Sequence, residues 1–343
     1  MKIDVPYSFL VRDGAFAWSC GQLAMDRNSS VIAPFDLEAQ SDCVCSYIEE
    51  LLSRARLSPS ALRRLYLYVA PTNPSALDLM LSLFRTRFGG QVLLDPIPVP
   101  HFYYDGVMLE VDMFCAEGTV DTQKQISGGL CVETVTAAGM TWMRVEAPIE
   151  ALPGALRDLE AILPTHGHLL SEQWLAPSAE ARAASELLAQ NRSLYVADSL
   201  VLKGVKNRII SGLLTLFDTP SETCMPQVTR HGDVDLMVRR AGPFAWLQAK
   251  SGGADGALVD QTEQLMSVLS RALAGMNMDF QSVVKSTTHY VGDASAADLH
   301  ENMAVRNRCY TKPGPASTGV PVLGFSDPKT KIVVDLLALP ISD

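Results

Sequence analysis

The sequence predicts an α+β protein built from three successive units of about 110 residues each. Two observations carry this. An aromatic strand is written twice: GAFAWSCGQ at residues 14–22 returns as GPFAWLQAK at residues 242–250, with Gly14, Phe16, Ala17 and Trp18 standing against Gly242, Phe244, Ala245 and Trp246. The segments after the two copies then change period in the same order: a helix, a β-rich run, a second helix and two closing apolar strands.

Each element follows from its pattern. In QSDCVCSYIEELLSRARLSPSALRRLYLYV, residues 40–69, the residues Val44, Tyr47, Ile48, Leu51 and Leu52 recur at helical spacing after Gln40. In QTEQLMSVLSRALAGMNMDFQSVVKSTTHYV, residues 261–291, Leu265, Val268, Leu269 and Leu273 do the same after Gln261. Each helix gives way to a β-branched or aromatic run, RRLYLYV or SVVKSTTHYV, which reads as a strand. PTNPSALDLMLSLFRTRFG (71–89) then parallels GDASAADLHENMAVRNRCY (292–310), with Asp78 matching Asp298 and Arg85 and Arg87 matching Arg306 and Arg308. DPIPVPHF and GVMLEVDMF close the first copy; TGVPVLGF and KIVVDLLAL close the other.

Residues 118–227 have the length of one more unit, so the expected division is 1–117, 118–227 and 228–343. Trp142, in AAGMTWMRVEA, takes the place of Trp18 and Trp246. PIEALPGALRDLEAIL reads as the first helix of this middle unit, APSAEARAASELLAQNR as the second, and SLVLKGV and RIISGLLTLF as its closing strands. Repeats of this kind also occur in solenoids, but a self-contained mix of strands and helices fits compact modules better.

Composition narrows the function. With 48% hydrophobic and 19% charged residues over 343 positions, the chain is a well-buried globular protein. A net charge of −10 offers no basic stripe to phosphates, so nucleic acid is not an expected partner. The seven cysteines are scattered without CxxC spacing, which argues against a disulfide framework or a zinc ribbon. MKIDVPYSF holds no apolar run suited to a signal peptide, and no run approaches the roughly 18 residues of a membrane span. No membrane association is expected, and the location expected is the cytoplasm.

Several stretches together carry a resemblance. In the first unit they are PYS at 6–8, GAFAWSCGQLAMD, the Gln40 helix and DGVMLEVDMF; in the third, the Gln261 helix, VVKSTTHYV, PGPASTGVPV and IVVDLLAL. In this order and spacing they resemble the Rid family, the YjgF-type imine deaminases, whose topology is like that of the bacillus-type chorismate mutases. The middle unit fits only in outline, and there is a more distant similarity to the chorismatases. Family members are generally homotrimers with small-molecule sites in the clefts between neighbours. The resemblance therefore implies three tandem Rid-like units forming a pseudo-trimer in one chain, with a small-molecule substrate.

The family's site implies particular residues. Its members hold a substrate carboxylate with an Arg and position a water with a Glu on the last strand. Here Glu110 takes the Glu position, while Asp95 stands where the Arg belongs. In the third unit Ser317 falls at the Arg position and Val333 at the Glu position, with Asp335 an alternative catalytic match if one residue is inserted. In the middle unit Gly204 followed by Arg208 aligns with Gly106 followed by Glu110. No unit keeps the Arg–Glu pair, and an Asp repels a carboxylate instead of clamping it. The expectation is an enzyme of altered specificity, hydrolysing or isomerising an imine, enamine or enol, and not a standard imine deaminase. A chorismatase-like enzyme acting on chorismate or a related cyclic acid, and a non-catalytic binding or scaffold protein, are the other readings.

The remaining candidates each have two readings. Glu110 either points inward, where burial raises its pKa, or outward as an ordinary edge carboxylate. Tyr7 lines a cleft or packs the N-terminal strand, and Cys20 is a nucleophile or a small buried residue. PGPASTG presents the hydroxyls of Ser317 and Thr318 to a ligand or is a tight entry to the next strand, and Arg306 and Arg308 are positioned to supply the missing charge. His166 and His168 in PTHGHL lack a third ligand, so no metal is expected and the segment reads as a polar loop. KSGGADGAL lacks the ending of a P-loop and reads as a hairpin turn; no cofactor is expected.

Overall fold

A computed structural model describes residues 5–177, 183–184, 187–188, 197–199, 209–219, 226–251, 256–292 and 296–340. Its strands form three mixed sheets, taken here in chain order.

The first sheet is built from β1 (Leu10–Asp13), β2 (Phe16–Ser19), β3 (Gln22–Leu23), β4 (Leu62–Val69), β5 (Leu93–Pro98) and β6 (Leu109–Ala116), with helices α1 (Leu37–Arg54) and α2 (Pro74–Phe88) between them. Its strand order is β1-β2-β6-β4-β5, and β3 also pairs with β6. The middle sheet holds β7 (Asp121–Ser127), β8 (Leu130–Ala137), β9 (Met140–Pro148), helix α3 (Leu152–Ile162), β10 (His168–Pro177), β11 (Ala197–Ser199) and β12 (Ile209–Phe217). The third contains β13 (Gln227–His231), β14 (Val234–Ala241), β15 (Phe244–Ser251), helix α4 (Leu258–Ala274), β16 (Val283–Tyr290), helix α5 (Ala296–Asn307), β17 (Ala316–Pro321) and β19 (Ile332–Ala338) in the order β13-β14-β15-β19-β16-β17. Between β17 and β19 the two-residue strand β18 (Gly324–Phe325) leaves this sheet and pairs with β11 of the middle one.

Local chemistry starts and stops the helices. The Asp36 side chain accepts from the Ala39 N–H at the start of α1, and Asn73 accepts from Ala76 at the start of α2, where Pro74 occupies the first turn. Such caps satisfy donors that the helix itself cannot. Val44, Ile48 and Leu52 of α1 are fully buried against β6 and β4, each contributing about 1.5–3 kcal/mol of burial. All eight residues of β4, and all eight of β16, are buried. A strand covered on both faces needs a second layer beyond its helices.

That layer is the other sheets. Trp18, Trp142 and Trp246, at 1%, 1% and 3% exposure, share one cluster with Met140, Phe244 and Leu170. Their registers correspond. Trp18 pairs with Phe114, Trp142 with Thr215 and Trp246 with Leu337. Next to each of these partners the ladder slips by one residue, between Leu62 and Arg64, Leu169 and Ser171, and Val283 and Lys285. Three sheets carrying a bulge at matching positions repeat one backbone plan.

One sequence expectation changes here. His168 opens β10, a ten-residue interior strand of its sheet, where PTHGHL reads from sequence as a polar loop. The hairpin turn expected in KSGGADGAL rests on residues 252–255, which lie outside the described residues. RIISGLLTLF forms β12 as expected from its pattern. The helix expected in APSAEARAASELLAQNR and the strand expected in SLVLKGV lie for the most part outside the described residues. Among the described residues no helix is long and apolar enough to cross a membrane.

Candidate functional site

Between the first and third sheets lies a cavity of about 190 Å3. Its polar groups are Glu110 from β6, Arg306 from α5, Ser317 from β17, Tyr290 from β16 and Tyr7 from the N-terminal segment; Phe102, Tyr103, Tyr104, Leu299 and Met303 supply much of its apolar wall.

The buried glutamines set the shape of this cleft. Gln40 Nε2 donates to the Ala33 and Gly106 carbonyls, and its Oε1 accepts from Met108 N–H. It thus pins the segment that carries Phe102, Tyr103 and Tyr104 into β6. Gln261 does the equivalent work in the third sheet, donating to the Lys329 carbonyl and accepting from Lys331 N–H. The wall reaches across the cleft, where Tyr103 Oη and His300 Nε2 share a hydrogen bond of 2.9 Å.

The PGPASTG loop holds the N-terminal segment. Gly314 N–H donates to the Pro6 carbonyl, Ser8 N–H donates to the Pro315 carbonyl, and Ser8 Oγ donates to the Gly314 carbonyl. An added Cβ at Gly314 would sit 2.7 Å from the Pro6 oxygen, so the close approach requires glycine. Tyr7 is placed in the cleft by this tie. Burial raises its phenol, against the pull of Arg306 and of the nearby Ser317 hydroxyl, and its oxygen makes no hydrogen bond of good geometry.

Glu110 faces Tyr68 in the ladder and points into the cavity. Its carboxylate lies so close over Gly21 that a Cβ there would meet Oε1 at 1.6 Å. Burial, then the neighbouring Asp112 charge, lifts its pKa to about 8, with Lys285 acting in the opposite direction. Among the described residues it forms no ion pair or hydrogen bond. Below it sits a satisfied ion pair: Lys285 Nζ donates to Asp112 Oδ2 at 2.7 Å, to the Ser19 carbonyl at 2.8 Å and to Thr318 Oγ1 at 2.8 Å. Thr318 in turn donates to Asp112 Oδ1 at 2.6 Å.

Arg306 is 3% exposed. Nε donates to Asn302 Oδ1 and Nη1 to Thr288 Oγ1, both at 2.9 Å, and Asn302 is itself fixed by donation to Thr262 Oγ1. All of these partners are neutral. Among the described residues no carboxylate pairs with Arg306, and its Nη2 makes no hydrogen bond.

The other candidates lie elsewhere. Arg308 is exposed, paired with Glu263 at 3.0 Å, and does not enter the cleft. Asp95 is buried with Arg64 at 2.7 Å on the side facing the middle sheet, a charge already paired and away from Glu110. Asp335 pairs with Thr287 as Asp112 pairs with Tyr66, so it is the counterpart of Asp112; the counterpart of Glu110 is Val333, opposite His289. It accepts from Gln248 Nε2 at 2.9 Å and lines a small cavity of about 60 Å3 among the sheets, with Trp18, Trp142 and Trp246. In the middle sheet Ser211 faces Leu175 as Glu110 faces Tyr68, which replaces the alignment on Arg208, a residue outside the described ones. The parallel register matches Asp95 with Thr318, moving that correspondence one residue from Ser317. Cys20 has its thiol pushed up to about 12, chiefly by burial, and donates to the Gly21 carbonyl, which is unsuited to a nucleophile. His166 and His168 belong to no group of metal-binding type among the described residues.

Sequence reasoning did not single out Phe102, Tyr103, Tyr104 or Tyr290. The run HFYYDG was a visible signal, three aromatics in a segment between strands.

A scan of protein-family models finds no match to the chain, and a search of curated proteins finds none either. Solved structures are similar over parts of it. The Rid-family protein YyfB from Yersinia pestis is 22% identical, with a TM-score of 0.29, over 33% of this chain and 87% of its own. A member of the YjgF/YER057c/UK114 family from Mycobacterium tuberculosis is 20% identical, with a TM-score of 0.28, over 32% of this chain and 86% of its own. RidA from a Psychrobacter species is 18% identical, with a TM-score of 0.29, over 32% of this chain and 88% of its own.

Proposed function

We propose that the chain is a fused pseudo-trimer of Rid-like units, 1–117, 118–227 and 228–343, and that the cleft between the first and third is an active site for a small imine, enamine or enol. One observation carries this reading: an unpaired carboxylate lifted to about 8 and an unpaired buried guanidinium line the same cavity. The corresponding positions in the other two sheets are Ser211 and Val333, neither of which can titrate usefully.

Near neutral pH a carboxyl with that pKa is mostly protonated and able to give its proton away. Glu110 would protonate the nucleophilic carbon of an enamine, giving the protonated imine, or of an enol, whose O–H proton passes to water to leave the ketone. With the protonated imine, the carboxylate left behind would take a proton from a second water as that water's oxygen adds to the C=N carbon. Collapse of that adduct moves the new O–H proton to nitrogen, breaks the C–N bond, releases ammonia and leaves a carbonyl. Tyr290, opposite, has its phenol raised by burial and by Glu110, so it stays a hydrogen-bond donor throughout.

The test is turnover of 2-imino acids generated in place by an amino-acid oxidase, and tautomerisation of a 2-oxo acid's enol, by the protein and by Glu110→Gln. Removal of a general acid–base lowers rates by about 10² to 10⁴. Unchanged turnover in the variant, or none in the parent protein with either substrate type, removes the assignment.

A further inference from the structure

We propose that this cleft binds a flat, unsaturated ring bearing one carboxylate, with the carboxylate on Arg306 and the ring against Phe102, Tyr103, Tyr104 and Tyr290. This deepens the function proposed above, since it names the ligand class of the same site.

The charge argument begins with Arg306. A guanidinium out of water is costly unless an anion and hydrogen bonds compensate it. Here two of its nitrogens are taken by Asn302 and Thr288, both neutral, which orients the group without neutralising it. Nη2 remains for a ligand. Two further hydroxyls are available beside it: Tyr7, whose buried oxygen makes no hydrogen bond of good geometry, and Ser317, which lines the same cavity. A carboxylate has two oxygens and accepts from such donors at once.

The number of anionic groups also follows. Lys285, the cation whose charge acts on Glu110, spends all three donors on Asp112, the Ser19 carbonyl and Thr318. One open cation favours one negative charge. Glu110 tolerates that charge nearby because burial keeps it largely neutral at pH 7.

The opposite wall defines the rest. Phe102, Tyr103 and Tyr104 come from one side of the cleft and Tyr290 from the other, with Leu299 and Met303 beside them. Tyr103 and Tyr104 meet edge to face at 4.8 Å, and Tyr103 is held by His300, so these rings are fixed before any ligand arrives. Fixed aromatic faces favour another ring over a flexible aliphatic chain.

Calorimetric titration with phenylacetate, butyrate and 2-phenylethanol separates the two halves of the proposal. Phenylacetate should bind at least tenfold tighter than either; butyrate lacks the ring and 2-phenylethanol lacks the charge. Arg306→Met should remove the advantage of phenylacetate over 2-phenylethanol, and Phe102→Ala should weaken phenylacetate while leaving butyrate unchanged. Equal affinity for butyrate and phenylacetate, equal affinity for 2-phenylethanol and phenylacetate, or no acid binding at millimolar concentration overturns the proposal. The series on the unaltered protein decides the matter even where a variant fails to fold. Glu110→Gln keeps the two ideas apart: it should bind phenylacetate as the parent does, whether or not Glu110 turns out to be catalytic.

Discussion

Arg64 and Lys285 hold the same place in two different sheets. Each follows the bulge of its strand, and each crosses to a neighbouring sheet. Arg64 donates to Asp95 within its own sheet and to the Met143 and Leu214 carbonyls of the middle one, whereas Lys285 reaches Asp112 and the Ser19 carbonyl of the first. At the matching place in the middle sheet stands Ser171, and between the middle and third sheets Arg239 instead forms an ion pair with Glu172.

Lys285→Met leaves Asp112 buried with its charge uncompensated. Breaking one side of such a pair typically costs about 3–5 kcal/mol. Urea unfolding should show that loss, and adding Asp112→Leu to the variant should restore much of it. A double variant no more stable than the single one would mean the pair is not the source.

Gly21→Ala is a probe of Glu110 that keeps its carboxyl group but displaces it. Its methyl group would occupy the position of Oε1, so the side chain must swing away. Turnover should fall by an order of magnitude or more, from about 10-fold upward, because a misplaced proton donor loses much of its effect. Thermal unfolding should shift little, since the displaced end is a flexible side chain. Full activity in this variant would show that the position of Glu110 in the cleft is immaterial.

Gln40→Leu removes the clamp on the aromatic wall. It strands the Met108 N–H, at about 1–3 kcal/mol where no water reaches it, while the Gly106 carbonyl keeps the Phe35 N–H as a donor. Stability should drop by about that amount, and KM should rise more than kcat falls as Phe102 to Tyr104 loosen. A change confined to kcat would be inconsistent with a positioning role.

Glu110 also makes stability depend on pH in a direction opposite to that of most carboxylates. Its ordinary value of 4.5 is raised to about 8 in the fold. Below the ordinary value it is protonated in both states and the fold has its full stability. Between the two values the unfolded chain releases the proton and the fold does not, so stability declines as pH rises and levels off above about 8. Urea midpoints at pH 5, 7 and 9 should fall more steeply for the parent protein than for Glu110→Gln. Asp112, Lys285, Arg306, Tyr7, Tyr290 and His300 are common to both proteins, so the difference isolates Glu110.

Much of this was legible in the sequence. The repeated GxFAW strand placed two of the three central tryptophans, and the repeated Gln pointed to residues that do the same work in two sheets. Glu110 was legible as a position but not as an orientation, because alternation along a strand buried on both sides does not say which face is which. The pairing of Arg306 and Arg308 as equals failed for a plain reason: Arg306 lies in the last turn of α5 and Arg308 just past its end, so one enters the cleft and the other meets solvent. The aromatic wall was missed because its residues come from a segment with no period, and only the third dimension sets it opposite α5.

The short strand Gly324–Phe325 has a bearing on how the molecule comes apart. It is covalently part of the last third of the chain yet hydrogen-bonded to β11 in the middle sheet. With Lys285 and Arg64 crossing at two other borders, a cut near residue 118 or 228 would not release an intact piece; each fragment would carry away a partner of its neighbour. The chain should therefore melt in one cooperative step, and limited proteolysis should yield either the whole protein or small peptides, with no stable third as an intermediate.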